Sequence, residues 1–279
     1  MLSPAAAVTA VLQRPHGLLE APRQTAAGEM IYSDVIAGGV WGCSPEGRLR
    51  ELLPKRRGIG GIVAHADGGW VISGKTLVHL RADGTQREVF ADDEARGFND
   101  LGATPAGELL AGVLRYRPLA GEAPKIGQLL LMGSGGERRI LSESIIWPNG
   151  IGVAPDGSTI YVSDYARRLV LATSTDGAQE CEFARAPLGS ADGLAVDAEG
   201  GVWLALGEGG GVARFHPDGQ LDELVSLPAK FVSSMSFGGP DLRDVLITTG
   251  DNLDRPELGG TLLRARSEIP GLAVSPVHV

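Results

Sequence analysis

Four side chains with oxygen donors recur at one fixed offset in this 279-residue chain. Glu20, Asn99, Asn149 and Asp192 each stand eight residues before a glycine, namely Gly28, Gly107, Gly157 and Gly200. The same step back from Gly68 lands on Gly60, and in a looser sixth unit it falls near Ser233 or Ser234. Two carboxylates and two amide oxygens that meet at one point form a hard-cation site, suited to Ca2+, Mg2+ or Mn2+ and within reach of Zn2+ or Fe2+. Without a cation, Glu20 and Asp192 would repel each other in a partly buried place, and one would tend to hold a proton. An Asn or Asp near glycine is most often a simple turn residue. Turn chemistry does not account for four at an identical offset, so the spacing is read as a site.

The elements that must carry these residues are short strands. Residues 29–34 (EMIYSD), 69–73 (GWVIS), 159–164 (TIYVSD) and 201–206 (GVWLAL) are apolar and rich in β-branched or aromatic side chains. Turn signals such as Pro-Asp-Gly and Ala-Glu-Gly bound them, as in β-hairpins. Turn glycines at 28, 68, 107, 157 and 200, followed by a Gly-Gly-Pro-Asp turn at 238–241, repeat every 39 to 50 residues. A second series, at 47, 84, 135 or 136, 177 and 219, falls between them. Two hairpin turns per unit mean four strands per unit, and six units use up the chain. The spacing predicts one all-β domain over 1–279, a six-bladed β-propeller whose innermost strands line a channel. The segment from Ala7 to Leu12 reads as a strand that closes the ring in the last blade. The offset position lies just before each innermost strand, so rotation about the propeller axis would bring all four donors to one mouth of the channel.

Composition narrows the function classes. Hydrophobic residues make up 43% of the chain, enough for a core, and no apolar run approaches the ~18 residues that cross a bilayer. The net charge of −9, with scattered Lys and Arg, argues against nucleic acid or an anionic membrane as partner and suits a protein that attracts a cation. Cys43 and Cys181 make neither a zinc cluster nor a disulfide framework, and Cys181 reads as a packing residue. With no basic n-region at the start, the expectation is a cytoplasmic protein. Residues 69–76 satisfy the Walker A pattern, but its first half is itself a strand in the repeat and no helix follows, so phosphate binding is not expected. No Gly-x-Ser-x-Gly elbow is present, and His16, His65, His79, His216 and His278 show no ligand spacing.

Residues 98–108 (FNDLGATPAGE), 148–157 (PNGIGVAPDG), 191–200 (ADGLAVDAEG) and 236–241 (SFGGPD) together resemble the SMP-30/gluconolactonase/luciferin-regenerating enzyme family over nearly the whole chain. The resemblance implies a six-bladed propeller with one divalent metal in its channel and, for many members, hydrolysis of sugar lactones. Carried over residue by residue, it implies that Glu20, Asn149 and Asp192 are metal ligands. Asn99 would face the metal and touch substrate, and Asp192 would be the catalytic carboxylate. The chain departs from the family pattern in three places. Glu20-Ala-Pro replaces Glu-Gly-Pro, and Gly97 stands where sugar lactonases carry an arginine, with Arg96 one place off register. Residues 111–117 also lack acidic side chains.

The expected reaction is metal-dependent hydrolysis of a lactone. The ion would act as Lewis acid and water activator, Asp192 would take a proton, and Asn99 would hydrogen-bond the developing oxyanion. Asp100 would orient Asn99 or a strand end and border the substrate, with Arg96, Arg115, Tyr116 and Trp147 as wall residues. The acidic run at 92–94 reads as a solvated loop. Two alternatives stay open. One is the same metal site used for ester or phosphotriester hydrolysis, hydration or isomerisation; the other is a non-catalytic, metal-stabilised binding propeller. The partner in the leading reading is a small-molecule substrate, and a closed ring gives no sheet edge that forces association, so a monomer is the default.

Overall fold

The computed structural model describes Leu2, Thr9, Ala10, Leu12 and residues 15–279. Six four-stranded antiparallel sheets form a ring, the six-bladed β-propeller that the repeat predicts. The innermost strands are Leu19–Gln24, Ile62–Ala64, Gly97–Ala103, Pro148–Val153, Leu194–Val196 and Val232–Gly238, and each touches the next around the channel. Among the described residues, helix is confined to two short 3-10 turns, Pro118–Ala120 and Pro256–Leu258.

The ring closes as expected. In the sixth blade, Val232–Gly238, Asp244–Thr249 and Leu262–Arg266 come from the C-terminal part of the chain, and Thr9–Ala10 supplies the outermost strand. Thr9 pairs with Arg264 and Ala10 with Leu263. Of the rest of the expected strand, Ala7, Val8 and Val11 lie outside the described residues, and Leu12 lies beyond the strand.

Strand alternation builds the core. Successive side chains point to opposite faces of a sheet, and here both faces are covered by neighbouring blades. Val71 therefore packs between blades two and three, with Phe98, Leu101 and Val113, while its neighbour Ile72 packs between blades one and two, with Ile31, Ile62 and Val78. The six apolar clusters correspond to the six interfaces between blades. Each fully buried Val, Leu or Ile contributes about 1.5–3 kcal/mol. The outermost strands of the first five blades face solvent and read as polar. Cys181 lies on one of them, Glu180–Arg185, and is exposed rather than packed, whereas Cys43 is buried. The Walker-like residues form a hairpin from Trp70–Ile72 to Leu77–Leu80, as the repeat requires.

Candidate functional site

Three of the four donors stand where the innermost strands break register. Pairing jumps between Phe98 and Leu101, between Pro148 and Ile151, and between Glu20 and Arg23. Each jump is a β-bulge, which bends the strand and re-aims its side chains. Asn99, Asn149 and Glu20 thus lie within their strands, at or beside a bulge, rather than ahead of them; Asp192 precedes its strand, Leu194–Val196. In the first blade the bulge places Ala21 at φ 51°, the left-handed region that favours glycine and costs a side chain about 1–2 kcal/mol. The replacement of glycine by alanine in the Glu-Gly-Pro motif is therefore a strained one.

All four donors line one cavity of about 440 Å3 at one mouth of the channel. The Asn149 Nδ2 donates to Asp192 Oδ1 at 2.5 Å, and the Asn99 Nδ2 donates to the Pro148 carbonyl at 2.9 Å. Glu20 and Asp192 are both buried, and both carboxyls are held well above their usual range. Burial is the leading cause for each. The charge of Asp100 adds to it for Glu20, and the charges of Glu20 and then Asp100 add to it for Asp192.

Small hydroxyls hold the peptides that carry these side chains. The Ser163 Oγ donates to the Asp192 carbonyl at 2.5 Å, from the fourth blade to the fifth. The Ser33 Oγ donates to the Ile59 carbonyl at 2.6 Å, and the Ser73 Oγ accepts the Gly60 and Gly61 N–H groups at 3.0 and 2.9 Å. The Ser233 Oγ closes the ring on the Leu19 carbonyl at 2.5 Å, beside Glu20. Three of these serines form a repeated feature of the sequence, because each of the strands at 29–34, 69–73 and 159–164 contains one near its end. Only the fold shows what they bind.

Glycine at position 60 makes room for Asn99. A Cβ built there would lie 2.2 Å from Asn99 Oδ1, so no side chain fits while that oxygen keeps its place over the channel. Gly60→Ala is expected to push the Asn99 amide aside at little cost in stability, because the obstructing atom is the free end of a side chain. A 1 Å misplacement in a reacting constellation costs up to ~100-fold. The expected result is a loss of kcat/KM of about tenfold or more with an unchanged melting temperature, read by paired assay and calorimetry.

The donor set fits a hard divalent cation. Two buried carboxylates meet two amides, and the Asn99 oxygen is presented in a cradle that a Cβ would fill. Among the described residues no cluster of three His, Cys, Asp or Glu side chains is arranged for a metal, so any ion here depends on the amide oxygens.

The other sequence-derived candidates divide. Trp147 lines the cavity, its ring 4.4 Å from that of Tyr165. Tyr116 is buried behind it, 6.5 Å from the Trp147 ring, and does not reach the wall. The structure does not bring Arg96 or Arg115 to the cavity. Arg96 is exposed, and Arg115 is engaged with Asp92 at 2.8 Å and with Gln128 at 2.5 Å. Asp92, in the acidic run, thus anchors Arg115. Asp100 is buried off the cavity wall, where its Oδ1 accepts the Leu101 N–H at 2.7 Å. Burial raises its pKa to about 6 against the opposing pull of Arg23 and of the Leu101 and Ile151 N–H groups. It therefore ties together two neighbouring innermost strands beside their bulges, and it is not among the residues that line the cavity.

Sequence spacing missed much of the wall, including His16, Tyr165, Phe231, Ile36 and Leu119. His16 stands with its Nδ1 3.7 Å from Asp34 Oδ2 and its Nε2 3.3 Å from the Tyr32 hydroxyl. No short motif marks these residues: Ile36, Leu119 and Tyr165 come from hairpins within blades, His16 from the segment before the first innermost strand, and Phe231 from the connection between the fifth and sixth blades.

Fold and site together define a six-bladed propeller with an oxygen-donor ring at one mouth of its channel. The chain belongs to the SMP-30/Gluconolactonase/LRE-like family, whose profile matches residues 18–251. It is 30% identical to a 6-deoxy-6-sulfogluconolactonase of Pseudomonas putida, over 94% of this chain and 96% of that one. It is 29% identical to the pentonolactonase XacC of Haloferax volcanii, over 79% of this chain and 77% of the relative. The fold matches that of a calcium-binding protein, regucalcin, from Agrobacterium tumefaciens, with a TM-score of 0.85, 22% identity and 98% of each chain covered. Among the described residues no helix is long and apolar enough to cross a membrane.

Proposed function

We propose that the chain is a divalent-cation-dependent hydrolase of lactones. One observation carries the reading: in a chain whose relatives are named as lactonases, two carboxylates and two amides line an open cavity. Glu20, Asn149 and Asp192 would hold the ion, with Asn99 facing it; the calcium-binding neighbour supports a divalent cation. A cation bound there supplies Lewis acidity, polarising the lactone carbonyl and lowering the pKa of water.

The protein groups do the rest. Asp192 has one oxygen on Asn149 and the other left over, which is placed to accept a proton from the attacking water. Water oxygen adds to the carbonyl carbon, the ring C–O bond breaks, and the proton taken by Asp192 passes to the departing ring oxygen. The product is the open hydroxy acid. Asn99 keeps one amide hydrogen on Pro148 and has a second for the developing oxyanion.

The test is pH-stat hydrolysis of a lactone panel by chelator-stripped protein, before and after adding Ca2+, Mn2+, Zn2+ or Mg2+. The expected result is at least a ~100-fold recovery with one of these ions. No turnover of any lactone by folded protein with an ion bound would overturn the reading.

A further inference from the structure

We propose that the lactone taken by this cavity is neutral and carries an apolar alkyl or aryl substituent, rather than a polyhydroxylated or acidic chain. The inference rests on the lactonase reading and names the substrate class of the same site. Above the donor ring the wall is apolar: Leu18, Val35, Ile36, Leu119, Trp147 and Phe231. Among the described residues no Lys or Arg lines the cavity, so a carboxylate or sulfonate would meet none of their cations beside a floor of two acids. The volume, about 440 Å3, lies within the ~300–1,000 Å3 of ordinary small-molecule sites and leaves room for more than a bare ring.

The polar groups of the wall are already engaged. The Tyr165 hydroxyl donates to Glu208 at 3.4 Å, and His16 sits between Asp34 and the Tyr32 hydroxyl. Backbone donors are used in the same way: the Gly17 N–H goes to Asp34, the Val35 N–H to the Leu18 carbonyl, and the Gly250 N–H to the Phe231 carbonyl. Sugar hydroxyls would lose water there and find few partners, a cost that apolar groups do not carry.

The mouth has the same character. Ile36 is 57% exposed and Leu119 69% exposed, and both belong to the cavity. Single exposed apolar residues are ordinary, but two at the rim of an apolar cavity extend its surface outward. The rim is also held in place before any ligand arrives. Asp34 accepts the N–H groups of Ile36 at 3.1 Å and Ala37 at 2.8 Å, while Asp164 accepts those of Ile146 at 2.8 Å and Trp147 at 3.3 Å. A preorganised wall spends little affinity on ordering.

The test compares δ-lactones bearing n-alkyl chains of one to seven carbons with a polyhydroxylated δ-lactone of the same ring size. The expected kcat/KM rises about fourfold per methylene until the chain passes the rim, as for a buried methylene, and the polyhydroxylated lactone is at least ~10-fold poorer than the heptyl one. Ile36→Ser and Leu119→Ser flatten the slope for the longer chains. A polyhydroxylated lactone turned over as well as the heptyl one, or better, would overturn the inference while leaving the lactonase reading intact.

A second arm does not need turnover. The corresponding δ-lactams, which resist hydrolysis, are titrated against tryptophan fluorescence, with Trp147→Phe as the control for the reporting ring. Tighter binding of alkyl lactams than of the polyhydroxylated lactam supports the inference even if no lactone is hydrolysed. Equal binding, weaker binding or no binding of the alkyl lactams overturns it.

Discussion

Asp192→Asn will lower kcat/KM by about a thousandfold or more and leave the propeller folded. The asparagine keeps the shape of the side chain and an oxygen for the Asn149 Nδ2, which now donates to Asp192 at 2.5 Å. It removes a charged donor from the ring and the group placed to accept the proton, and loss of a general base alone costs ~100- to 10,000-fold. Stability is expected to move the other way. Glu20 and Asp192 are buried like charges that oppose each other's ionisation, so neutralising one relieves the other. The chelator-stripped variant should therefore melt no lower than the chelator-stripped parent, and circular dichroism should overlay. A variant with parental turnover would remove Asp192 from the mechanism. One that fails to fold would make it a structural residue.

Trp203→Ala will cost about 3–5 kcal/mol, the range for deleting a large buried aromatic side chain. Trp203 is fully buried between the fifth and sixth blades, among Val212, Met235, Val245 and Ile247. Its indole N–H donates to Asp197 at 2.9 Å, and Arg214 donates to the same carboxylate at 2.8 Å, within a buried network that also includes the Gly201 N–H. Alanine leaves a cavity at one of the six interfaces that close the ring. Trp203→Phe keeps most of the volume and loses only the hydrogen bond, which costs about 1–2 kcal/mol. Denaturant midpoints give the order parent, Phe, Ala. Because Trp203 does not line the cavity, kcat/KM measured well below the melting temperature should stay within twofold of the parent. Equal midpoints for parent and Ala would mean that this interface does not limit stability.

The architecture was legible because it is written locally and repeated. Turn glycines need only their own backbone conformation, and strands such as 159–164 announce themselves as short apolar runs rich in β-branched and aromatic residues, so the period of about 40 residues survives without any knowledge of distant contacts. The donor ring was legible for the same reason. Glu20, Asn99, Asn149 and Asp192 occupy one register position, and the symmetry of the ring turns equal offsets into a shared place.

The wall was not legible. Reading outward from Asn99 and Asn149 along the chain suggested Arg96, Arg115 and Tyr116, yet Arg115 is drawn to Asp92 and Gln128, Arg96 faces solvent, and Tyr116 stands one ring behind Trp147. The true wall takes Ile36, Leu119 and Tyr165 from hairpins within the first, third and fourth blades and Phe231 from the connection between the fifth and sixth; Ile36 and Tyr165 each follow a turn glycine by eight residues, but their side chains differ and form no motif. The bulges that aim the donors were equally hidden, since a register shift is a relation between two strands and leaves no mark on either alone.

By itself, then, the amino-acid order determined the number of blades, the closure of the ring and the identity of the donors, because each follows from short-range turn and strand preferences multiplied by a repeat. The tertiary structure alone decided which side chains face those donors, that Asp100 holds strands rather than substrate, and that the mouth is apolar. Those properties depend on how loops from separate blades pack against one another, and loop packing is settled by contacts between residues far apart in the chain.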